Sequence, residues 1–409
     1  MAADKTIVGL DIGTSSTRVA VGSVSRDGQL VIESVVERPS EGVKNGSIVN
    51  IEQTMKTISS VIGEAEVQAG TEISSVIIGI GGDQIKGIKS NGVVGINSKD
   101  QEITKDDIRR SIDVARNIQL PQNTEILHSL VQDFYVDSRS GIKDPVDMLG
   151  HRLDTKILLV LGSSPIIQNQ KKCVHKTGLQ VQKVVFQTLA DSEVVLSPEE
   201  KDMGVIVINI GSGSTNYIAY AGGAPVHVGG INRGSDLVTS DIAYLFQLPK
   251  AAAESLKLTD GSCYSPGIHA SDMMVTPALG GKPAIRMPRK EFAKVIEARM
   301  AEILLMIQQD LQDNQIQGPF GAGIVLVGGG ALMGGVTELA AEIFRLPCRI
   351  GFPEAISGLD RTYIDPKYST VLGLFKSEAK RYRDNNDITG VKEKKGFGSK
   401  VKSLFGKLF

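Results

Sequence analysis

The sequence predicts an α/β fold made of two similar lobes, and three observations support this. The 409 residues exceed what one compact core holds, so several structural units are expected. Short β-branched apolar runs alternate with segments of helical periodicity. The residue types from Leu10 to Gly22 recur in the same order from Ile208 to Tyr220, 198 residues later. One repeat at this distance indicates duplication of a half-molecule rather than a repeat array.

The first half begins with a predicted meander of three strands, followed by a helix and a buried strand. These elements cover residues 5–12, 17–24, 30–36, 51–69 and 74–80.

Residues 81–160 differ in character, because they are rich in glycine and aspartate and show one clear helix. That helix is expected to follow Thr104, with Asp107 as the acid at its third position. Strands are expected near 126–136 and 156–161. The block therefore reads as an inserted subdomain.

The second half repeats the alternation of strands and helices. Strands are predicted at 181–186, 204–210, 215–221, 225–231 and 323–327. Helices are predicted at 165–177, 190–196, 288–311, 335–344 and 369–383, with mostly helical structure across 233–317. From Asp384 to about Phe397 the chain is polar, and we expect a flexible linker.

Composition excludes several classes of protein. A net charge of −1 gives no field that attracts nucleic acid, so no nucleic-acid partner is expected. The three cysteines lie far apart, and the five histidines lack metal-ligand spacing, so neither a disulfide framework nor a zinc site is predicted. The N-terminus lacks the pattern of a signal peptide, and the longest apolar runs are too short to span a bilayer. Any membrane contact is therefore expected to be peripheral.

The repeated segments carry the predicted chemistry. Each runs from an apolar strand through Ile-Gly into a cluster of small hydroxyl residues and glycine. Such turns direct backbone N–H groups at one point, which favours phosphate oxygens. One such hairpin is more often a structural turn, but two in register can clasp a triphosphate. A third glycine motif at 328–330 follows a strand and can face an adenosine. No GxxxxGK[ST] motif occurs, so a P-loop NTPase is excluded.

At these residues the sequence resembles the superfamily of actin, the sugar kinases and the heat-shock chaperones. The phosphate 1 motif matches Asp11–Gly22, the phosphate 2 motif matches Asn209–Asn216, and the adenosine motif matches Gly328–Gly335. The two connecting helices match Leu189–Leu196 and Tyr368–Glu378. Within the superfamily nearly the whole chain is similar to the FtsA family of bacterial cell-division proteins. The more specific matches are Gly141–Val146, Val238–Tyr244, Val295–Arg299, Ala322–Leu326 and Tyr368–Leu374.

This resemblance implies an actin-like (ribonuclease H-like, duplicated) two-lobed ATPase fold with an inserted subdomain called 1C. It divides the chain into six parts. These are subdomain 1A (1–82, 163–200 and 365–383), 1C (83–162), 2A (201–232 and 318–364), 2B (233–317), a flexible linker (384–396) and an amphipathic helix (397–409).

The resemblance also implies an ATP site with Mg²⁺. The residues expected to hold the phosphates are Gly13, Thr14, Ser15, Ser16, Gly211, Ser212, Gly213 and Ser214. Those expected at ribose and adenine are Glu254, Lys257, Gly328, Gly329 and Gly330. Asp11 would face a hydrated Mg²⁺ ion, with Asn209 acting through water. No catalytic residue is assigned.

Two positions depart from the family pattern, which has aspartate at both ends of phosphate 2. Here Asn209 and Asn216 stand at those places. An amide lacks the negative charge that orders Mg²⁺ and a water nucleophile, so we expect slow ATPase activity at most. The alternative is that Asn209 coordinates more weakly and turnover is ordinary for the family.

The last residues form a predicted amphipathic helix. Its apolar stripe consists of Phe397, Val401, Leu404, Phe405 and Leu408. From 380 to 409 nine basic and three acidic residues give a net charge of +6. A basic amphipathic helix suits an anionic membrane surface, and FtsA proteins carry a targeting helix here. The alternative is docking on the protein itself or on a partner.

The resemblance further implies partners. In FtsA proteins the region of subdomain 2B around the helix after Pro288 receives the C-terminal peptide of FtsZ. Arg286, Arg299 and Glu302 match that surface. Self-association into filaments through 1C, and a place at the division septum on the cytoplasmic face of the membrane, are also implied.

Two alternatives of the same fold stay open. A pilus-assembly adaptor would bind a transmembrane partner and would need no amphipathic tail. A sugar or acid kinase would need a carboxylate base facing its substrate, at about the place of Asn209.

Overall fold

The computed structural model describes residues 5–25, 28–276, 284 and 286–389, with side chains up to 382. The strands in chain order are β1 (Lys5–Ile12), β2 (Ser16–Val24), β3 (Leu30–Pro39), β4 (Val43–Lys44), β5 (Ser47–Ile48), β6 (Ser75–Ile80), β7 (Lys86–Gly95), β8 (Thr124–Val136), β9 (Arg139–Ile142), β10 (Arg152–Ser163), β11 (Gln180–Phe186), β12 (Val205–Ile210), β13 (Thr215–Ala221), β14 (Ala224–Ile231), β15 (Met273–Val275), β16 (Arg286–Pro288), β17 (Gly323–Val327) and β18 (Cys348–Ile350). The helices are α1 (Ile51–Ala69), α2 (Lys105–Arg116), α3 (Ser164–His175), α4 (Gln187–Val195), α5 (Pro198–Met203), α6 (Ser235–Leu245), α7 (Lys250–Asp260), α8 (Arg289–Asp313), α9 (Val336–Phe344) and α10 (Ser369–Thr389).

Two sheets of identical topology form the two lobes. The first has the strand order β3-β2-β1-β6-β11, and the second has the order β14-β13-β12-β17-β18. In each, the first three strands form an antiparallel meander and the last two run parallel to the first strand. Along the chain, α4 follows directly after β11, and α10 is the first α-helix after β18. The duplication that the repeat predicts is therefore present in the connectivity of the chain.

Helices α4 and α10 pack directly against each other between the lobes. At their crossing, a Cβ built on Gly373 would lie 2.0 Å from the backbone oxygen of Ala190. Only glycine permits so close an approach of two helix backbones. Helix α10 also packs on β1, where a Cβ on Gly9 would lie 2.8 Å from the oxygen of Val371. Both lobes therefore meet at one helix pair.

Residues 86–163 build a separate sheet in the order β7-β10-β8-β9, with its own apolar core. Helix α2 begins with the predicted cap, since Thr104 and Asp107 form a capping box. The block contacts the first lobe, because His128 Nε2 accepts a hydrogen bond from the Phe186 N–H at 3.0 Å. Burial lowers the pKa of His128 to about 3, so the ring accepts as a neutral group.

The same block contacts the second lobe. The Gln132 side chain donates to the backbone oxygen of Pro225 at 2.9 Å. A Cβ built on Gly87 would lie 3.2 Å from a methyl carbon of Val228 on β14. The inserted sheet therefore bridges the two lobes.

The strands and helices predicted outside this block are confirmed to within a few residues, with one exception. The prediction that a flexible linker begins at Asp384 is wrong for residues 384–389, which continue α10 to Thr389. The segment is polar, but it contains neither proline nor glycine before Gly390, so nothing in its backbone chemistry ends the helix there. The elements that were not predicted are β7, β9, β18, α5 and the β4–β5 and β15–β16 hairpins. None of the helices in the described ranges is long and apolar enough to cross a membrane.

A partly buried ion cluster ties α4 to the elements beside it. Glu193 Oε1 accepts from Lys201 Nζ at 2.8 Å, and Oε2 accepts from Lys380 Nζ of α10 at 2.9 Å. Burial alone would raise the pKa of Glu193, but the two ammonium groups outweigh it and hold the pKa at about 2. The carboxylate thus joins the two central helices through charge.

We expect Glu193→Gln to lower the free energy of unfolding at pH 7 by about 2 kcal/mol, because it removes the shared anion of this cluster. The folded-state pKa lies below the ordinary value of 4.5, so the contribution is fully present above that pH and is lost as pH falls towards 2. Urea denaturation at pH 7 and pH 3 measures the difference. Glu52→Gln, on the exposed Glu52–Lys56 pair of α1, is the control. An equal loss at both pH values would contradict the role of this charge.

Candidate functional site: the cleft between the lobes

A cleft of about 820 Å³ lies between the two lobes, within the size range of small-molecule sites. Every residue predicted to touch nucleotide or Mg²⁺ lines it. These residues are Asp11, Gly13, Thr14, Ser15, Ser16, Asn209, Gly211, Ser212, Gly213, Ser214, Glu254, Lys257, Gly328, Gly329 and Gly330. The structure therefore gathers at one place residues that lie in four separate parts of the sequence.

The two glycine turns have the same local geometry. In the first, the Gly13 N–H donates to the Ser16 oxygen at 3.1 Å, and in the second the Gly211 N–H donates to the Ser214 oxygen at 3.0 Å. A Cβ on Gly13 or Gly211 would lie 2.8 or 2.9 Å from the same serine oxygen. Each turn is therefore too tight for a side chain at its first residue.

The two turns meet across the cleft. A Cβ on Gly213 would lie 2.5 Å from Thr14 Oγ1 and 2.8 Å from the Cα of Asn45. The Gly46 N–H also donates to Thr14 Oγ1 at 2.8 Å. Asn45 and Gly46 have φ values of 48° and 73° and form the two-residue turn between β4 and β5. Sequence reasoning missed this hairpin, although an Asn-Gly pair between short strand segments is a known signal for it.

In the first lobe, Asp11 stands at the end of β1 with 5% of its surface exposed. Its Oδ1 accepts a hydrogen bond from Gln187 Nε2 at 2.8 Å, and Arg18 lies 3.8 Å from its Oδ2. Burial raises the pKa of Asp11, and Arg18 and Gln187 oppose that rise. Gln187 is the first residue of α4 and was not predicted as part of the site.

In the second lobe, Asn209 occupies the equivalent place on β12. Its Nδ2 donates to Asp191 Oδ2 at 2.7 Å and to Thr370 Oγ1 at 3.2 Å. Thr370 Oγ1 in turn donates to Asp191 Oδ1 at 2.8 Å. Asp191 is fully buried, and burial raises its pKa to about 7. Neither Asp191 nor Thr370 was predicted, because their part in the site depends on how α4 and α10 pack.

Asn216 connects the lobes through its amide. Its Oδ1 accepts from the Gly82 N–H at 2.6 Å, and its Nδ2 donates to Gln187 Oε1 at 3.4 Å. Both ends of the amide are therefore engaged, and a chain of hydrogen bonds runs from Asn216 through Gln187 to Asp11.

A further ionic network borders the cleft in the first lobe. Glu37 accepts from Arg18 at 2.8 Å, from Lys367 at 3.1 Å and from the Tyr368 hydroxyl at 2.8 Å. Burial tends to raise the pKa of Glu37, but Arg18 and the other donors hold it at about 2. Arg18, Glu37 and Lys367 line the cleft and were not predicted as site residues.

The opposite wall carries the residues predicted at ribose and adenine. Lys257 is buried, and its Nζ contacts Thr239 Oγ1 at 2.9 Å and Glu254 Oε2 at 2.7 Å. Glu254 keeps 42% of its side chain exposed, so it remains available to a ligand, whereas the Lys257 ammonium is turned into the protein.

The glycine motif at 328–330 lies at the end of β17. A Cβ on Gly328 would lie 2.4 Å from Asn209 Oδ1, and a Cβ on Gly330 would lie 2.3 Å from a methyl carbon of Ile210. No atom of the described residues lies within 4 Å of a Cβ on Gly329. The outer glycines are required by packing, while Gly329 borders open space in the cleft.

The donor set fits a hydrated magnesium ion. Asp11 and Asn209 bring a carboxylate and an amide to the floor of the cleft. In the part of the chain that the structure describes, no group of three acid, histidine or cysteine side chains gathers as a metal cage. Mg²⁺ suits such a place, because it keeps several waters and binds mainly to phosphate oxygens. Asp11 would hold it from the first lobe and Asn209 from the second, each through water.

The predicted peptide surface lies away from the cleft, on α8 and the β15–β16 hairpin. Arg299 donates to both oxygens of Asp241, at 2.7 and 3.0 Å, and also to Glu302. Arg299 was predicted as part of this surface, but its guanidinium is already engaged within the protein. Beside it on α6, Tyr244 and Leu245 are exposed by 82% and 57%. Arg286 lies exposed on β16.

The predicted membrane helix at 397–409, with its stripe of Phe397, Val401, Leu404, Phe405 and Leu408, lies outside the described residues.

Comparison with protein families gives two matches. The model described as "Cell division protein FtsA" matches residues 206–373. The model described as "SHS2 domain inserted in FTSA" matches residues 82–161, the block whose sheet contacts both lobes.

Among characterised relatives, a "Cell division protein FtsA" of Borreliella burgdorferi is 39% identical over 98% of both chains. The protein of that name in Pseudomonas aeruginosa is 37% identical over 90% of this chain and 88% of its own. In Escherichia coli K12 it is 34% identical over 90% of this chain and 89% of its own.

Among solved structures, a "PilM-PilN type IV pilus biogenesis complex" matches with 16% identity and a TM-score of 0.63, covering 91% of this chain and 98% of that chain. MreB5 of Spiroplasma citri bound to ADP matches with 14% identity and a TM-score of 0.57, covering 94% and 98%. These likenesses bear on the fold alone, and they confirm the predicted actin-like, two-lobed α/β architecture.

Proposed function

The chain belongs to the FtsA family of cell-division proteins, and on that premise we propose that it binds ATP with Mg²⁺ in the cleft. We further propose that it assembles into filaments through the inserted subdomain and tethers the FtsZ ring to the cytoplasmic face of the membrane at the septum. The observation that carries the ATP proposal is the meeting of two equivalent glycine turns across one cleft.

The chemistry of the cleft supports a triphosphate. The turns at 13–16 and 211–214 bring backbone N–H groups and hydroxyls to the cleft from opposite lobes, and such groups bind phosphate oxygens. Glu254 lies on the opposite wall, where a carboxylate suits the hydroxyls of a ribose. When bound, Mg²⁺ would neutralise phosphate charge between the lobes.

Slow turnover follows from the phosphate 2 residues. Asn216 is engaged at both ends of its amide, and Asn209 directs its amide nitrogen at Asp191. Neither side chain carries the charge that orients a water nucleophile and Mg²⁺ for hydrolysis. We therefore propose that ATP acts mainly as a conformational ligand.

Filament formation would increase membrane attachment. The basic amphipathic segment at 397–409 is short and contains Gly406, so a single copy is a weak and reversible anchor. Several copies held along a filament would bind far more tightly through effective concentration. Assembly of the protein would then control its attachment to the membrane.

Gly329→Ala tests the cleft as the ATP site. The added methyl enters open space rather than protein, so the free protein keeps its melting temperature while affinity for Mg-ATP falls about tenfold. Isothermal titration calorimetry measures the affinity. Gly63→Ala in α1, where the described residues also leave 4 Å of space around the new Cβ, is the control. Unchanged ATP affinity in the Gly329→Ala variant would place the nucleotide elsewhere.

Phe405→Asp tests the membrane segment. The substitution puts a charge in the apolar stripe, and we expect about tenfold weaker binding to vesicles of phosphatidylglycerol and phosphatidylcholine. Ser403→Asp adds the same charge on the opposite face of the predicted helix and should weaken binding far less. Co-sedimentation of the full chain measures both. If the two variants bind equally, net charge alone governs attachment and the amphipathic interpretation fails.

Arg286→Glu tests the proposed FtsZ surface. Arg286 is exposed beside α8, and reversing its charge should lower affinity for an acidic C-terminal FtsZ peptide about tenfold. Fluorescence anisotropy of a labelled peptide gives the dissociation constant. Arg109→Glu makes the same change on α2, where Arg109 is 70% exposed, and should leave binding intact. Equal effects of both variants would mean that peptide binding reflects only overall charge.

A further inference from the structure

The carboxyl group and the amide have exchanged places between the two halves of the molecule. In the first half the cleft residue is a carboxylate, Asp11, and its partner on α4 is the amide of Gln187 at 2.8 Å. In the second half the cleft residue is an amide, Asn209, and its partner on α4 is the carboxylate of Asp191 at 2.7 Å. The two partners are one helical turn apart on α4. Each pair therefore joins one carboxyl group and one amide group.

The Asp191 carboxylate fixes the orientation of Asn209. Both Asp191 oxygens accept hydrogen bonds, Oδ1 from the Thr370 hydroxyl and Oδ2 from the amide nitrogen of Asn209, so that nitrogen faces Asp191. The amide oxygen then faces the other way, towards Gly328, where a Cβ would lie 2.4 Å from it. Thr370 reinforces this arrangement, since its hydroxyl donates to Asp191 and accepts from Asn209. The oxygen is thereby presented to the cleft.

The surroundings of Asp191 disfavour its ionised form. It is fully buried, and no lysine or arginine within the described ranges forms an ion pair with it. A buried carboxylate without a cation is costly. A divalent cation in front of Asn209 would lower that cost from the cleft side, because the attraction between charges is strong where water is excluded.

We propose that Asp191 is a positioning residue for Mg-nucleotide: from behind Asn209 it holds the amide so that the amide oxygen, at the place where the family pattern has a carboxylate, faces Mg²⁺. This inference rests on the proposed binding of ATP with Mg²⁺. The carboxyl group lies on α4 rather than on the cleft wall, and it acts on the cleft by fixing the orientation of the Asn209 amide. Residues 191 and 209 therefore act as one unit.

We expect Asn209→Asp to destabilise the folded protein, although the substitution restores the aspartate of the family pattern. Two carboxylates would then stand at hydrogen-bond distance in a buried place, where both cannot stay ionised without a large cost. The exchange variant, Asn209→Asp with Asp191→Asn, recreates one carboxylate and one amide in reversed positions. It should behave like the native pair.

A double-mutant cycle tests the proposal on the full-length chain. The first measurement is the melting temperature without nucleotide. The second is the ratio of ATP affinities with Mg²⁺ and with EDTA. We expect Asp191→Asn to reduce that ratio about tenfold, and Asn209→Asp to lower the melting temperature by several degrees. The exchange variant should recover both values to within about twofold in affinity and a degree or two in melting temperature.

Asp202→Asn is the control, since that carboxylate is on the surface and pairs with Lys143. A purely structural role would change the melting temperature but not the Mg²⁺ ratio, so an unchanged ratio in Asp191→Asn overturns the proposal. An exchange variant no better than the single variants also overturns it. Asp191→Asn keeps the shape of the side chain, so the test stands even if Asn209→Asp does not fold. If the native protein itself binds no ATP, the proposed function fails and not merely this inference.

Discussion

The contact between α4 and α10 is the constraint on which the rest of the molecule depends. Their backbones approach so closely at Gly373 and Ala190 that no other residue fits at the crossing. Because α4 also packs on β12 and β13 of the second sheet and α10 packs on β1 and β2 of the first, this crossing fixes both sheets relative to each other. It also brings the α4 side chains Gln187 and Asp191 to the backs of the two glycine turns. The position of the cleft and the polar side chains behind it therefore both depend on the contact between α4 and α10.

The duplication has preserved backbone geometry more strictly than side-chain chemistry. Both turns keep the same hydrogen bond and the same need for glycine, since backbone N–H groups bind phosphate whatever the neighbouring side chains are. The charged residues have instead diverged, with Asp11 in one half and Asn209 in the other. A two-lobed clasp tolerates this asymmetry, because a single nucleotide presents different groups to each lobe.

Most of the fold and the glycine loops could be predicted from the sequence, because their signals are local. Strand periodicity and the clusters at Gly13 and Gly211 lie within a few neighbouring residues. The partners of the cleft residues could not be predicted in this way. Gln187 meets Asp11 from 176 positions away, and this pairing exists only once the helices have packed. The end of α10 was misjudged because polar composition was read as loop, whereas polar residues are compatible with a helix and no glycine or proline interrupts this one before Gly390.

The inserted sheet has a consequence for how the molecule transmits force. It is attached to the first lobe through His128 and to the second lobe through Gln132 and Gly87. A rotation of one lobe against the other must therefore shear one of these attachments or tilt the sheet as a whole. Close-packed interfaces respond to such a load by shifting between discrete arrangements rather than by bending gradually. The arrangement of the inserted sheet is therefore coupled to the distance between the two lobes.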